Sequence, residues 1–146
     1  MKTKSGGGRQ PSPRQAPSRC LTLDLLPGKL SICLLSPDSA IPQWALDSSF
    51  FTVSRTAEEL TLIVPEGQVP REVKSEKHFR AFRVKGPLEF SAIGILASLA
   101  GPLAEAGLSI IAFSTYLTDY ILVRQKDLET AVITLQGCGH AVHMER

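Results

Sequence analysis

The order of hydrophobic patterns from residue 79 onward restricts the possible folds more than any other feature of this chain. Strand patterns repeat every two residues and helix patterns every three or four, so the two can be told apart along the sequence. The patterns occupy 79–85 (strand), Ser91 to Gly107 (helix), 109–115 and 119–124 (strands), 127–136 (helix) and 138–143 (strand). Such a βαββαβ order predicts an α+β fold of the ferredoxin-like type.

The first half of the chain carries a weaker copy of the same order. Thr56 aligns with Thr115 when the sequence is shifted by 59 positions, and 62–64 align with 121–123, so the hairpin occurs twice. We therefore expect two ferredoxin-like units in tandem, packed side by side, over 20–78 and 79–146. The elements expected in the first unit are a hairpin of 21–25 with 30–35, a short helix at 42–46, strands at 50–55 and 60–64, and a charged helix at 70–77. The fourth strand of the first unit is expected to come from 20–26.

Charge is distributed unevenly along the 146 residues. The first twenty residues hold five of the 16 basic residues and no acid, which leaves 11 basic and 14 acidic residues, a net charge of −3, in the remainder. A weakly acidic body argues against nucleic acid as a partner. The apolar runs are shorter than the roughly 20 residues that cross a bilayer, so no membrane contact is expected.

The basic segment 1–19 has almost no apolar residue to bury and is rich in glycine and proline. This composition predicts a disordered tail. A transit peptide is the alternative, but glycine and proline do not favour the amphipathic helix that such a peptide forms.

Three widely spaced cysteines predict neither a disulfide framework nor a CxxC motif, and they favour a reducing, cytoplasmic setting. Cys138, His140 and His143 lie close enough in sequence to supply three zinc ligands. Strand alternation places His143 on the face opposite to the other two, so a structural role is preferred. No metal or cofactor is expected.

The segment between residues 86 and 124 contains the candidate ligand site. A helix that starts after a loop leaves backbone N–H groups unpaired, and such groups attract anions. Ser114, Thr115 and Asp119 at the following hairpin are placed to close a small anionic or zwitterionic ligand against them. Pro102 lies inside the helix, deletes the hydrogen bond to the carbonyl of Ser98, and is expected to kink it.

These segments resemble the ACT domain, and the resemblance covers about residues 21–143. It rests on Gly94-Ile95-Leu96, on the run from Pro102 to Ile110 (PLAEAGLSI), and on the run from Ser114 to Val123 (STYLTDYILV). Within that family the chain is similar to short tandem-ACT proteins of bacteria and to the ACT units of aspartate kinases and CASTOR-type arginine sensors.

The resemblance implies a regulatory module that binds a free amino acid at an ACT–ACT interface, forms a homodimer and catalyses no reaction. The ligand residues that it implies are Glu89, Phe90, Ser91, Ala92, Ile93, Gly94, Ile95, Ser114, Thr115, Tyr116 and Asp119. Arginine-sensing relatives carry an acidic residue where this chain has Ala92, so the resemblance leaves the ligand open.

Several of these residues have a structural interpretation as well. Ser91 is suited to cap the helix, Gly94 to close helix–sheet packing, and Asp119 to a turn. The alternative function is a protein interaction or assembly module with a vestigial pocket. No phosphate-binding glycine motif, HExxH or GxSxG occurs, which argues against catalysis.

Overall fold

A computed structural model describes residues 19–146. The predicted tail, apart from Arg19, lies outside the described residues. The strands are β1 Thr22–Leu25, β2 Leu30–Leu35, β3 Thr52–Arg55, β4 Leu60–Pro65, β5 Ser75–Val84, β6 Ile110–Ser114, β7 Asp119–Arg124 and β8 Ala141–Met144. The α-helices are α1 Gln43–Leu46, α2 Ile95–Glu105 and α3 Leu128–Gly137. The α+β class is confirmed.

The strands form one sheet in which β5 is central. Its order is β3-β4-β2-β5-β1-β8, and β7 lies along the other edge of β5 with β6 outside it. The second half of β5 continues into α2, β6, β7, α3 and β8, which is the predicted βαββαβ order. The sequence pattern therefore identified every strand and α-helix that follows residue 79, whereas the 3-10 turn at Gln125–Asp127 was not predicted.

The ten residues of β5 serve both units. Its first half pairs with β2, where Cys33 faces Ser75, and its second half pairs with β1, where Leu23 faces Val84. The predicted hairpin between β1 and β2 is wrong, because the two strands lie end to end along the same edge of β5. The predicted boundary between 78 and 79 falls inside β5, and the division into two units at that point stays a prediction.

The strand donor predicted for the first unit is also wrong. β1 does not join β2, β3 and β4; it lies between β5 and β8, antiparallel to the first and parallel to the second. The first half of β5 completes the sheet of the first unit instead. The predicted charged helix at 70–77 is wrong for the same reason, since pairing with β2 holds Ser75 and Glu76 in a strand.

The hairpin repeat is confirmed. A shift of 59 residues places β4 on β7 end for end, and the turn hydrogen bonds coincide. The amide of Thr56 donates to the carbonyl of Glu59 at 2.9 Å, and the amide of Thr115 donates to the carbonyl of Thr118 at 2.8 Å. The two hairpins share a register but differ in side chains, because Leu60 of the first hairpin corresponds to Asp119 of the second.

All three helices cover one face of the sheet. Leu99 and Leu103 of α2, with Leu135 of α3, pack on a buried cluster that includes Phe82, while α1 packs through Ala45 on the first unit. The opposite face carries a second cluster, composed of Leu30, Ile63, Phe79, Ala81 and Leu122. α2 remains one helix across Pro102 and ends, as predicted, before Gly107 in a left-handed conformation with φ 80°.

Candidate functional site

The loop after β5 and the β6–β7 hairpin meet above the N-terminus of α2. The amide of Leu88 donates to the carbonyl of Leu117 at 2.8 Å, which joins the loop to the hairpin tip. Glycine at position 86 permits this approach, because a Cβ there would lie 2.9 Å from the same carbonyl oxygen. The loop and the hairpin tip thus form one connected wall.

Hydrogen bonds within the hairpin and to β5 hold the hairpin tip in place. The buried hydroxyl of Thr118 donates to the carbonyl of Val84, and the amide of Thr115 closes the turn onto the Thr118 carbonyl. The hydroxyl of Ser114 donates to a carboxylate oxygen of Asp119 at 2.5 Å. Charge-assisted bonds of this kind fix a carboxylate while leaving lone pairs for a ligand.

α2 begins without a side-chain cap. Its N-cap is Gly94, in a left-handed conformation with φ 82°, and no side chain accepts a hydrogen bond from the first turn. The predicted capping role of Ser91 is therefore wrong, since it lies three positions before the cap residue and its side chain is exposed. The first amides of an α-helix have no partner within the helix, so those that follow Gly94 are available to an anion.

A cavity of about 180 Å³ lies between these elements. It brings together most of the predicted residues: Glu89, Phe90, Ala92, Ile95, Ser114, Thr115, Tyr116 and Asp119. Ser91, Ile93 and Gly94 belong to the same loop and do not line it. Leu88, Leu117 and Thr118 line it and were missed, because their positions follow from the contact between loop and hairpin and from no residue type.

The electrostatic character of the cavity comes from two carboxylates, Glu89 and Asp119, with no Lys or Arg in its lining. A cationic group is therefore favoured on that side. The uncapped amides of α2 provide the complementary donors. One wall suits an ammonium or guanidinium group and the other suits a carboxylate, which together match a zwitterion.

The rim of the cavity is apolar and exposed. Phe90 and Tyr116 lie edge to face with ring centroids 5.0 Å apart, and both are about four-fifths exposed, at 78% and 80%. Ile93 and Leu117 extend this patch. Exposed apolar groups gathered beside a cavity are typical of a surface that another molecule covers.

The histidines near the C-terminus have separate roles. His140 is buried; its Nδ1 accepts a hydrogen bond from the amide of Leu21 at 3.1 Å, and its Nε2 lies 3.3 Å from the carbonyl of Ser98. His143 is exposed. Within residues 19–146 no group of three potential ligands is placed to hold a metal ion. Over the same residues, no helix has the length and apolar character needed to span a membrane.

Two family models match this chain. The family model of the ACT domain matches residues 74–137, which contain the cavity, and a second model, for an N-terminal domain, matches 28–72. The cytosolic arginine sensor for mTORC1 subunit 1 from Bos taurus is 36% identical over 97 residues, covering 59% of this chain and 30% of the sensor. The chain thus spans less than a third of the length of that curated relative.

Solved structures extend the comparison to the fold. A crystal structure of a protein from Agrobacterium tumefaciens is 33% identical, has a TM-score of 0.82, and is matched over 88% of this chain and 96% of that one. The regulatory subunit of aspartate kinase from Thermus thermophilus is 12% identical with a TM-score of 0.52, over 76% and 93% of the two chains, and shows the fold alone. The match to the ACT-domain model identifies residues 74–137 of this chain as an ACT domain.

Proposed function

We propose that this chain is a non-catalytic, cytosolic regulatory module that binds a free amino acid between the loop 88–95 and the hairpin tip 114–119. The observation that carries the proposal is a cavity lined by two carboxylates that adjoins the uncapped N-terminus of α2 at Ile95. The family supports the ligand class, because a relative is named as a cytosolic arginine sensor.

The polar groups assign each end of the ligand. Asp119, fixed by Ser114, accepts the ammonium group or a basic side chain, and Glu89 adds a second negative charge. The amides at the start of α2 receive the α-carboxylate. The cavity, at about 180 Å³, is smaller than the roughly 300–1,000 Å³ of sites for drug-sized ligands, which suits a ligand no larger than a single amino acid.

A thermal-shift screen of the twenty amino acids tests this proposal. A ligand present at 100 times its Kd adds about 2.7 kcal/mol to the free energy of unfolding. We expect one or a few amino acids to raise the melting temperature, and we expect Asp119→Asn to remove that shift. Asp38→Asn, in an exposed turn away from the cavity, is the matched control and should retain it. The absence of a shift with every amino acid at millimolar concentration would refute the proposal.

The apolar rim favours assembly as a second candidate function. Phe90, Ile93, Tyr116 and Leu117 are 60–80% exposed and adjoin the cavity, so a second copy of the chain would bury them. We expect light scattering to show a homodimer that Phe90→Ser converts to monomer, whereas Ile133→Ser, at an exposed apolar position on α3, leaves it unchanged. A monomeric wild-type chain at high concentration would contradict this candidate.

A further inference from the structure

A basic groove lies at the end of the sheet opposite to the amino-acid cavity. Its volume is about 600 Å³, and it is lined by Lys29, Lys77, His78, Arg124, Gln125 and Lys126. Asp119 begins β7 and Arg124 ends it, so five strand steps of about 3.4 Å separate the two sites by roughly 17 Å. The groove is therefore a separate site.

Three ammonium groups in the groove lack a counter-charge. Lys29, Lys77 and Lys126 form no salt bridge with any carboxylate of residues 19–146. Like charges gathered in a cleft repel one another and raise the local concentration of anions. Residues 21–146 carry 11 basic and 14 acidic residues, so this concentration of positive charge differs in sign from the net charge of the chain that follows the basic tail.

The fourth cation is held in a defined position. The guanidinium of Arg124 lies 4.3 Å from the ring centroid of Phe79, donates to the carbonyl of Lys77 at 3.1 Å, and contacts the carboxylate of Glu76 at 3.1 Å. These contacts use only part of its five N–H donors. An oriented guanidinium with donors to spare is suited to a phosphate oxygen.

Each wall of the groove is fixed by a hydrogen bond from another element. The amide of Glu66 donates to the carbonyl of Lys29 at 2.9 Å, and Arg80 donates to the side chain of Gln125 at 3.2 Å. His78 occupies a left-handed conformation with φ 67°, at an irregularity in the β2–β5 pairing, and its Nδ1 lies 2.8 Å from the carboxylate of Glu66. Backbone strain of this kind is concentrated at ligand sites.

We propose that this groove binds a compact small molecule that carries two or more phosphate groups. Its volume falls within the range of small-molecule sites, and four cations from three separate segments match the several charges of a polyphosphate. Because the groove and the amino-acid cavity share β7, a phosphorylated ligand at one end and an amino acid at the other would contact the same strand.

Inorganic tripolyphosphate is the probe for isothermal titration calorimetry, at an ionic strength of about 0.15 M to screen distant charges. We expect saturable binding that the double variant Lys77→Gln/Lys126→Gln weakens about tenfold or more. The matched control Lys74→Gln/Lys85→Gln removes the same charge outside the groove and should change the Kd less than about twofold. Equal losses in both double variants, or no binding by the wild type, would overturn the proposal.

Three further measurements extend the test, and the first two use the wild type alone, so they do not depend on the folding of any variant. In the wild type, the probe should shift the NMR amide signals of 77–78 and 124–126 and leave those of 88–95 and 114–119 unchanged. Citrate, a polycarboxylate, should bind at least about tenfold more weakly than tripolyphosphate. Binding of citrate with equal affinity, or tighter binding of a single-stranded oligonucleotide that both double variants weaken alike, would reject a phosphate site.

Discussion

His140 provides a sharp test of how the structure compensates for a proline inside a helix. Pro102 has no N–H to donate to the carbonyl of Ser98, and the Nε2 of His140 lies 3.3 Å from that oxygen. The other ring nitrogen accepts the amide of Leu21. Since Nδ1 accepts, the proton of the neutral ring is on Nε2, and His140 donates to the carbonyl that the proline leaves free.

The expected loss of stability on removing the His140 side chain follows from the two backbone groups with which it forms hydrogen bonds. His140→Ala leaves one N–H and one C=O without their partner, and each such loss in a buried setting costs about 1–3 kcal/mol. The substitution should therefore lower the free energy of unfolding by about 2–6 kcal/mol. His143→Ala is the control, because that histidine is exposed in the adjoining strand β8, and its replacement should cost about 0.5 kcal/mol or less.

Pro102→Ala isolates the contribution of the helix. Alanine at position 102 restores an N–H that can donate to the carbonyl of Ser98 within the helix. In that background His140→Ala leaves only the amide of Leu21 unpaired, so its cost should fall by about 1–3 kcal/mol. The difference between the two backgrounds is the coupling energy of the pair.

Urea unfolding followed by circular dichroism measures all four variants of this cycle. A cost of His140→Ala that is the same in both backgrounds, within about 0.5 kcal/mol, would refute the inference that His140 replaces the missing helix donor. A cost no larger than that of His143→Ala would refute any structural role for the ring.

Two further predictions concern glycine and cysteine. Gly86→Ala should destabilise the chain by about 1–3 kcal/mol and abolish any thermal shift with an amino acid, because the new Cβ would lie 2.9 Å from the carbonyl oxygen of Leu117. Gly101→Ala, inside α2 with open space around it, should instead raise the free energy of unfolding by up to about 1 kcal/mol in the same urea assay. Burial raises the pKa of the Cys33 thiol, so the folded chain holds this proton more tightly than the unfolded chain. The contribution of Cys33 to the free energy of unfolding is therefore complete below about pH 8.5 and should decline as the pH rises above that value. A thiol reagent should accordingly label two exposed cysteines rapidly and Cys33 only after unfolding, and rapid labelling of all three would contradict its burial.

Part of the candidate site could be predicted from the local sequence. Ser114, Thr115 and Asp119 were predicted from their place opposite a helix start, and the loop residues before α2 from the ACT resemblance; the structure gathers most of them around one cavity. Thr118 escaped prediction because its importance lies in a hydrogen bond to Val84, 34 residues away. The capping role of Ser91 was wrong because the helix begins later, after a glycine in a left-handed conformation.

The sequence by itself determined the elements that depend on periodicity and turn chemistry. Alternating and helical patterns predicted α2, α3 and the β3–β4 and β6–β7 hairpins, and the shift of 59 residues identified the hairpin repeat. Each of these signals lies within a few residues along the chain, where side-chain spacing and backbone preference act directly.

Tertiary structure alone decided the partners of β1 and the length of β5. An extended segment presents the same donors and acceptors to any strand, so its sequence does not state which edge it joins. Here β2 pairs with the first half of one edge of β5, and β1 pairs with the second half of the same edge. The basic groove was likewise invisible in sequence, because its cations come from segments about 50 residues apart that only the fold brings together.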